Sequence, residues 1–277
     1  MNDYDLIFVH GSNSAMLLCA LKRILHIKTP PILDVDISSF HQAYTSGLIH
    51  RLSQFSSKAF DYMVYHTSSQ YDYYKEHFPW LKDRCKFVPF GVDYNYWKLK
   101  TYKDIPEKDQ YIVCVGYRKR DWSTLLKAFD RIDIPEKLYL IGNPDIKCDN
   151  PKVKVLPFIP IEKLMTYIIN SKFSVVPLDD FNYSFGQMTL LQQMALGVPI
   201  LAADVPAIHD YIKCSVGVMP YTAYDINELA LRLKEMASKT KEDLRVMGDK
   251  NKLAIQTILS EKEMAVQFEE IIKQVLN

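Results

Sequence analysis

Short apolar runs alternate with stretches of helical period along almost the whole chain. The runs DLIFVH (5–10), PILDVD (31–36), YMVYH (62–66) and KFVPF (86–90) enclose segments at 13–26 and 48–60 whose apolar residues recur every three or four positions. Runs this short, bounded by polar loops, predict strands, and their alternation with helical segments predicts a parallel sheet flanked by helices. The pattern breaks over 94–108, a polar, aromatic and proline-containing stretch without periodicity. It restarts with YIVCVG (111–116), a helix near 122–131, KLYLIG (137–142), VKVL (153–156), a helix at 161–170, FSVVPL (173–178), a helix near 187–196 and PILAAD (199–204). A second doubly wound sheet is predicted.

Beyond that sheet, Ile226, Leu229, Ala230 and Leu233 recur at helical spacing, and Asp225 stands where it would cap the first turn. Ser260 followed by Glu263 is a capping-box signature, and Met264, Phe268, Ile271, Ile272 and Val275 form one apolar stripe behind it. This last helix could finish the second lobe or cross back onto the first. The chain is therefore read as α/β, with a first lobe at 1–96, a linker at 97–108, a second lobe at 109–259 and an amphipathic helix at 260–277.

Bulk properties narrow the classes of function. A chain of 277 residues can bury two compact cores, and 48% hydrophobic with 24% charged residues is ordinary globular composition. A net charge of +1 gives no global pull toward nucleic acid. Cys19, Cys85, Cys114, Cys148 and Cys214 are widely spaced without metal-ligand pairing, which fits a reducing cytoplasm. The opening MNDYDLIFVHGS has no basic segment ahead of an apolar core, so a secretion signal is not expected. No stretch approaches the ~20 apolar residues of a membrane span, because Lys22 and Arg23 interrupt the best one. Peripheral membrane contact stays open.

In an open parallel sheet, ligands bind beyond the carboxyl ends of the strands. The run at 111–116 ends at Gly116 and is followed by Arg118, Lys119, Arg120 and Asp121. Three cations beside a helix start can neutralise a diphosphate, combining charge-assisted hydrogen bonds with the helix amides. The same run reads equally as a solvated basic loop. A second candidate is the loop after 173–178, where Gly186 and Gln187 open a helix whose free amides could hold phosphate or sugar oxygens. Gly197, which ends that helix, and Pro199, which opens the next strand, carry an ordinary structural reading.

With these segments in view, the chain resembles the retaining GT-B glycosyltransferases of the large family that uses nucleotide diphosphate sugars, the group 1, family 4-like enzymes. The likeness rests on FVPFGVD (87–93), VGYRKRDWSTLLKAF (115–129), FGQMTLLQQMALGVPIL (185–201) and VGVMPYTAYDINELA (216–230). It implies two Rossmann-like lobes facing across a cleft, an acceptor side in the first and a donor side in the second. It further implies transfer of a hexosyl-like group with retention, without a metal or a cofactor beyond the donor itself. By the same resemblance Arg118, Lys119 and Arg120 hold the diphosphate, Arg120 also stabilising the leaving group, and Phe158 and Ile159 take the nucleobase position. Gly116, Ser184, Phe185, Gly186, Gln187 and Gln192 complete the donor set. His10 and Asp36, chosen from His10, Asp36, His41 and His66, are the first-lobe candidates for catalysis.

Two departures stand out. The family often carries glutamates eight positions apart where this chain has Ser184 and Gln192. The first lobe begins near a middle strand of the usual fold and lacks the early strands and glycine-rich loop, so either the protein is minimal or the chain is a fragment. Both departures support an alternative, a non-catalytic sugar-nucleotide-binding or scaffold subunit. The nucleotide base, sugar, acceptor and oligomeric state are not legible.

Overall fold

The computed structural model describes residues 4–11, 13–37, 40, 45–97, 108, 110–142 and 145–277. Most of the expected linker at 97–108, and His41, lie outside them. The chain divides into two compact units: 1–90, 181–185 and 262–277 in one, 91–180 and 186–261 in the other.

In the first unit, β1 (Ile7–His10), β2 (Ile32–Asp36), β3 (Tyr62–Tyr65) and β4 (Cys85–Phe87) form a parallel sheet in sequential order. They alternate with α1 (Asn13–Ile24), α2 (Gly47–Ser57) and α3 (Gln70–His77). One sheet face buries Ile32, Met63 and Tyr65 with Cys19, Phe60, Tyr74 and Phe78. The other face, presenting Leu33, Val35, Tyr62 and Val64, is covered by the C-terminal helix α10 (Glu261–Leu276). All five residues of the stripe read from the sequence do this work: Ile271 is buried, and Met264, Phe268, Ile272 and Val275 pack around it. β2 is buried along its whole length, as a strand sandwiched between helical layers must be.

The second unit holds β5 (Tyr111–Val115), β6 (Lys137–Ile141), β7 (Val153–Leu156), β8 (Phe173–Val176), β9 (Ile200–Asp204) and β10 (Val218–Thr222). All pair in parallel, in the order β10-β9-β8-β5-β6-β7. Order reverses at β5, which lies between β6 and β8, and such a switch point opens a crevice at the carboxyl ends of the two diverging strands. The connecting helices are α4 (Trp122–Asp130), α5 (Ile161–Ile169), α6 (Gln187–Ala195), α7 (His209–Ile212), α8 (Ile226–Ser238) and α9 (Lys241–Thr257). Asp225 caps α8 as expected, accepting from the amides of Asn227 and Glu228. The helix α9 packs on α6 through Gly248, where a Cβ would stand 2.0 Å from the Gly197 carbonyl oxygen.

Candidate functional site

The loop after β5 is built around one inward-turning arginine. Gly116 leaves the strand at φ +126, a left-handed value that favours glycine, and a Cβ there would lie 2.7 Å from Arg120 Nη2. Lys119 also takes a left-handed conformation, φ +54. That turn leaves the side chains of Arg118 and Lys119 exposed and drives Arg120 inward to 8% exposure. Arg120 Nε donates to the Val115 carbonyl at 3.2 Å, Nη1 to the Arg118 carbonyl at 3.1 Å and Nη2 to Thr189 Oγ1 at 3.1 Å. Burial pulls its pKa down, with the neighbouring Cys114 and Asp179 acting in the opposite direction. A buried guanidinium whose three acceptors are all neutral oxygens retains N–H donors, and these together with its charge favour an incoming anion.

The loop is tied across the switch point. Asp121 N donates to the Pro177 carbonyl at 2.8 Å and Asp179 N to the Lys119 carbonyl at 3.3 Å, so the chain after β5 bridges to the chain after β8. Asp121 caps α4 by accepting from Thr124 N at 3.0 Å. Gly186 opens α6 at φ +89, where a Cβ would meet Leu178 Cδ1 at 2.7 Å, and among the described residues no side chain caps that helix. The opening amides of a helix have no acceptor within the helix itself. Beneath the loop, burial pushes the Cys114 thiol up to about 12, so it is a neutral packing group.

An aromatic wall stands beside the arginine loop. Phe158 is 66% exposed and meets Tyr117 edge to face at 5.0 Å, while Arg118 Cζ lies 5.2 Å from the Tyr117 ring centre. Gly142 takes φ +104, a left-handed value that favours glycine, and a Cβ there would be in ordinary contact with the Phe158 ring at 3.5 Å. Ile159 is half-buried. Tyr117, Gly142 and Thr189 were not singled out in the sequence. Thr189 sits two residues into α6, and its bond to Arg120 spans 69 positions, so only the fold reveals it.

The remaining candidates separate. The Gln187 side chain is buried and donates to the Ala207 carbonyl at 2.8 Å, and Gln192 is half-buried. Ser184 and Phe185 belong to the first unit, in a segment where Phe181, Tyr183 and Phe185 cluster and Asn182 Nδ2 donates to the Ser69 carbonyl at 3.1 Å. His10 is exposed at the carboxyl end of β1. Asp36 is 1% exposed, accepting from Tyr74 Oη at 2.5 Å and from Phe40 N at 3.3 Å, so the fold itself engages both carboxylate oxygens. Among the described residues no group of three or more His, Cys, Asp or Glu gathers as a metal site. A cavity of about 480 Å³, lined by Lys172, Pro199, Leu244 and Lys252 among others, lies at the amino-terminal ends of β8 and β9, away from the carboxyl-end loops where ligands of such sheets bind.

His66 gives the first unit a pH dependence. Burial pushes its imidazole down to about 4 from 6.5, against the opposing bond of its Nδ1 to the Val88 carbonyl at 2.7 Å. The unfolded chain takes a proton below 6.5 that the folded unit refuses until about 4, so stability is intact above 6.5 and falls as pH drops through that window. The expected loss is about 3 kcal/mol by linkage. Melting temperatures from pH 7 to 4 should show this decline, and His66→Gln should flatten it.

Two parallel α/β units, the second carrying a buried arginine and a glycine-opened helix at its switch point, have the fold of the GT-B glycosyltransferases. The chain belongs to the family described as glycosyl transferases group 1, whose model matches residues 109–261, the span of the second sheet and its helices. Solved structures share the fold. Sucrose-phosphate synthase (tll1590) from Thermosynechococcus elongatus is 18% identical, with a TM-score of 0.76 over 98% of this chain and 74% of that one. Anabaena Alr3699/HepE, solved with UDP, is 13% identical, with a TM-score of 0.81 over 98% of this chain and 79% of that one. A glycosyltransferase from Rickettsia africae ESF-5 is 13% identical, with a TM-score of 0.65 over the whole of both chains. No curated protein sequence matches the chain.

Proposed function

We propose that the chain transfers a glycosyl group from a nucleoside diphosphate sugar, with retention of configuration and without a metal ion. The observation that carries this reading is Arg120, a buried cation held by neutral oxygens at the carboxyl end of β5. In the reaction the bond between the anomeric carbon and the diphosphate oxygen breaks, an acceptor hydroxyl oxygen bonds to that carbon, and the hydroxyl proton leaves on the departing phosphate. Negative charge grows on the diphosphate, and donors fixed in advance at that point lower the barrier. Arg120, with Arg118 and Lys119 at the loop surface and the opening amides of α6, supplies such donors. Tyr117 and Phe158 offer an aromatic surface to a nucleobase. HepE has been solved with UDP and with UDP-glucose, which supports a uridine nucleotide as the first donor to test. Of the two first-unit candidates, His10 is the one we carry forward, because its side chain is exposed.

The test is release of nucleoside diphosphate from a panel of nucleotide sugars, with and without a chelator. Turnover of one nucleotide family, unchanged by the chelator, supports the reading. Absence of turnover across the panel from folded protein sinks it. Gln192→Glu adds a second check. A carboxylate binds ribose hydroxyls more strongly than an amide, so kcat/KM should rise by about tenfold.

A further inference from the structure

Two adjacent helices of the first unit present their apolar sides outward. α1 and α2 pack against each other on one sheet face. α1 turns Ala15, Met16, Cys19 and Ala20 to the core and leaves Leu17 (62% exposed), Leu21 and Ile24 in a second stripe facing solvent, which Leu25 extends. α2 is inverted outright: His50, Ser56 and Ser57 are buried, while Leu48 (82% exposed), Ile49, Leu52 and Phe55 face outward. A soluble helix normally turns these residue types the other way. A contiguous set of eight large apolar side chains is an interaction surface rather than scattered exposure.

Charge around this face identifies what covers it. Between residues 6 and 60 the sequence holds five cations, Lys22, Arg23, Lys28, Arg51 and Lys58, and only two acids, Asp34 and Asp36. Both acids are fully buried, so the exposed charge of the segment is entirely positive. Arg23 Cζ lies 4.8 Å from the Phe55 ring centre, linking the two helices with a cation beside the apolar stripe. A second copy of the chain on this face would set five cations against five. An apolar stripe on helices whose own charged residues, Lys22, Arg23 and Arg51, are all cationic instead matches an anionic lipid surface, where leucines enter the acyl boundary and the cations reach the headgroups. We propose that α1 and α2 dock the protein on an anionic bilayer as a peripheral contact; among the described residues no helix is long and apolar enough to cross a membrane.

The test is flotation of the full chain with vesicles of phosphatidylcholine containing about one third phosphatidylglycerol, against phosphatidylcholine alone, at low and high salt. Binding should require the anionic lipid and weaken with salt. Leu48→Glu with Leu52→Glu should lower the partition coefficient by more than about tenfold. Arg51→Gln should lower it about fivefold. All three sites are exposed, so melting temperature and vesicle-free donor turnover should stay unchanged, which separates failure of docking from failure of the transferase reading. Absence of flotation with anionic vesicles overturns the proposal, as does equal flotation of the double variant. Self-association in sedimentation that the double variant abolishes, without flotation, would assign the face to a second copy.

Discussion

Arg120→Ala is expected to reduce kcat/KM for the nucleotide sugar by about a hundredfold to a thousandfold, the scale of losing one preorganised donor to a developing anion. The guanidinium holds Val115, Arg118 and Thr189 together, so its loss also loosens the loop that carries the other cations. Arg120→Lys should recover only part of the activity, since an ammonium keeps the charge but not the planar fork that bonds three groups at once. Arg118→Ala removes an exposed cation and should cost less than about tenfold. Steady-state kinetics of the three variants checks the order. Equal activity of Arg120→Ala and the parent would remove the arginine from the mechanism.

Asp34→Leu is expected to stabilise the first unit at neutral and alkaline pH. Asp34 lies in the centre of β2 with no exposed surface, and among the described residues neither carboxylate oxygen has a hydrogen-bond partner. Burial, reinforced by Asp36, holds its pKa well above 3.8. The sign follows from linkage: a carboxyl whose folded pKa is raised contributes fully below 3.8, and that contribution is lost as pH rises through the folded value. Leucine is apolar and fills similar space, so the gain should be about 1–3 kcal/mol near pH 8 and shrink toward pH 4. Melting curves across that range read it directly. A lower melting temperature for Asp34→Leu at every pH would show that the carboxyl has a structural role.

Much of the architecture was legible because each strand is a short apolar run closed by polar loops and because caps such as Asp225 have a local chemistry. Where the reading missed, the cause lies in tertiary packing. α9 escaped notice because its buried face includes Gly248 and Asn251, residues that spoil an apolar stripe. Gly248 is required by the approach of the Gly197 carbonyl, and Asn251 Nδ2 donates to the Val198 carbonyl at 2.7 Å. β10 contains Pro220, which argues against a strand, yet it pairs with β9 at the sheet edge, where proline is tolerated. In the site, Arg118, Lys119 and Arg120 look interchangeable as letters, and one left-handed residue, Lys119, decides which of them is buried. The period of α2 told which side was apolar, not which side was inside.

Binding of a nucleotide sugar's diphosphate by the second unit through Arg120 is read out by calorimetric titration of UDP, GDP and ADP into the folded chain, repeated with Arg120→Ala. The expected result is saturable binding of one nucleotide, weakened by about ten- to a hundredfold or more in the variant. No heat of binding from any of the three, with the protein folded throughout, would contradict it, and so would equal affinity of the variant and the parent.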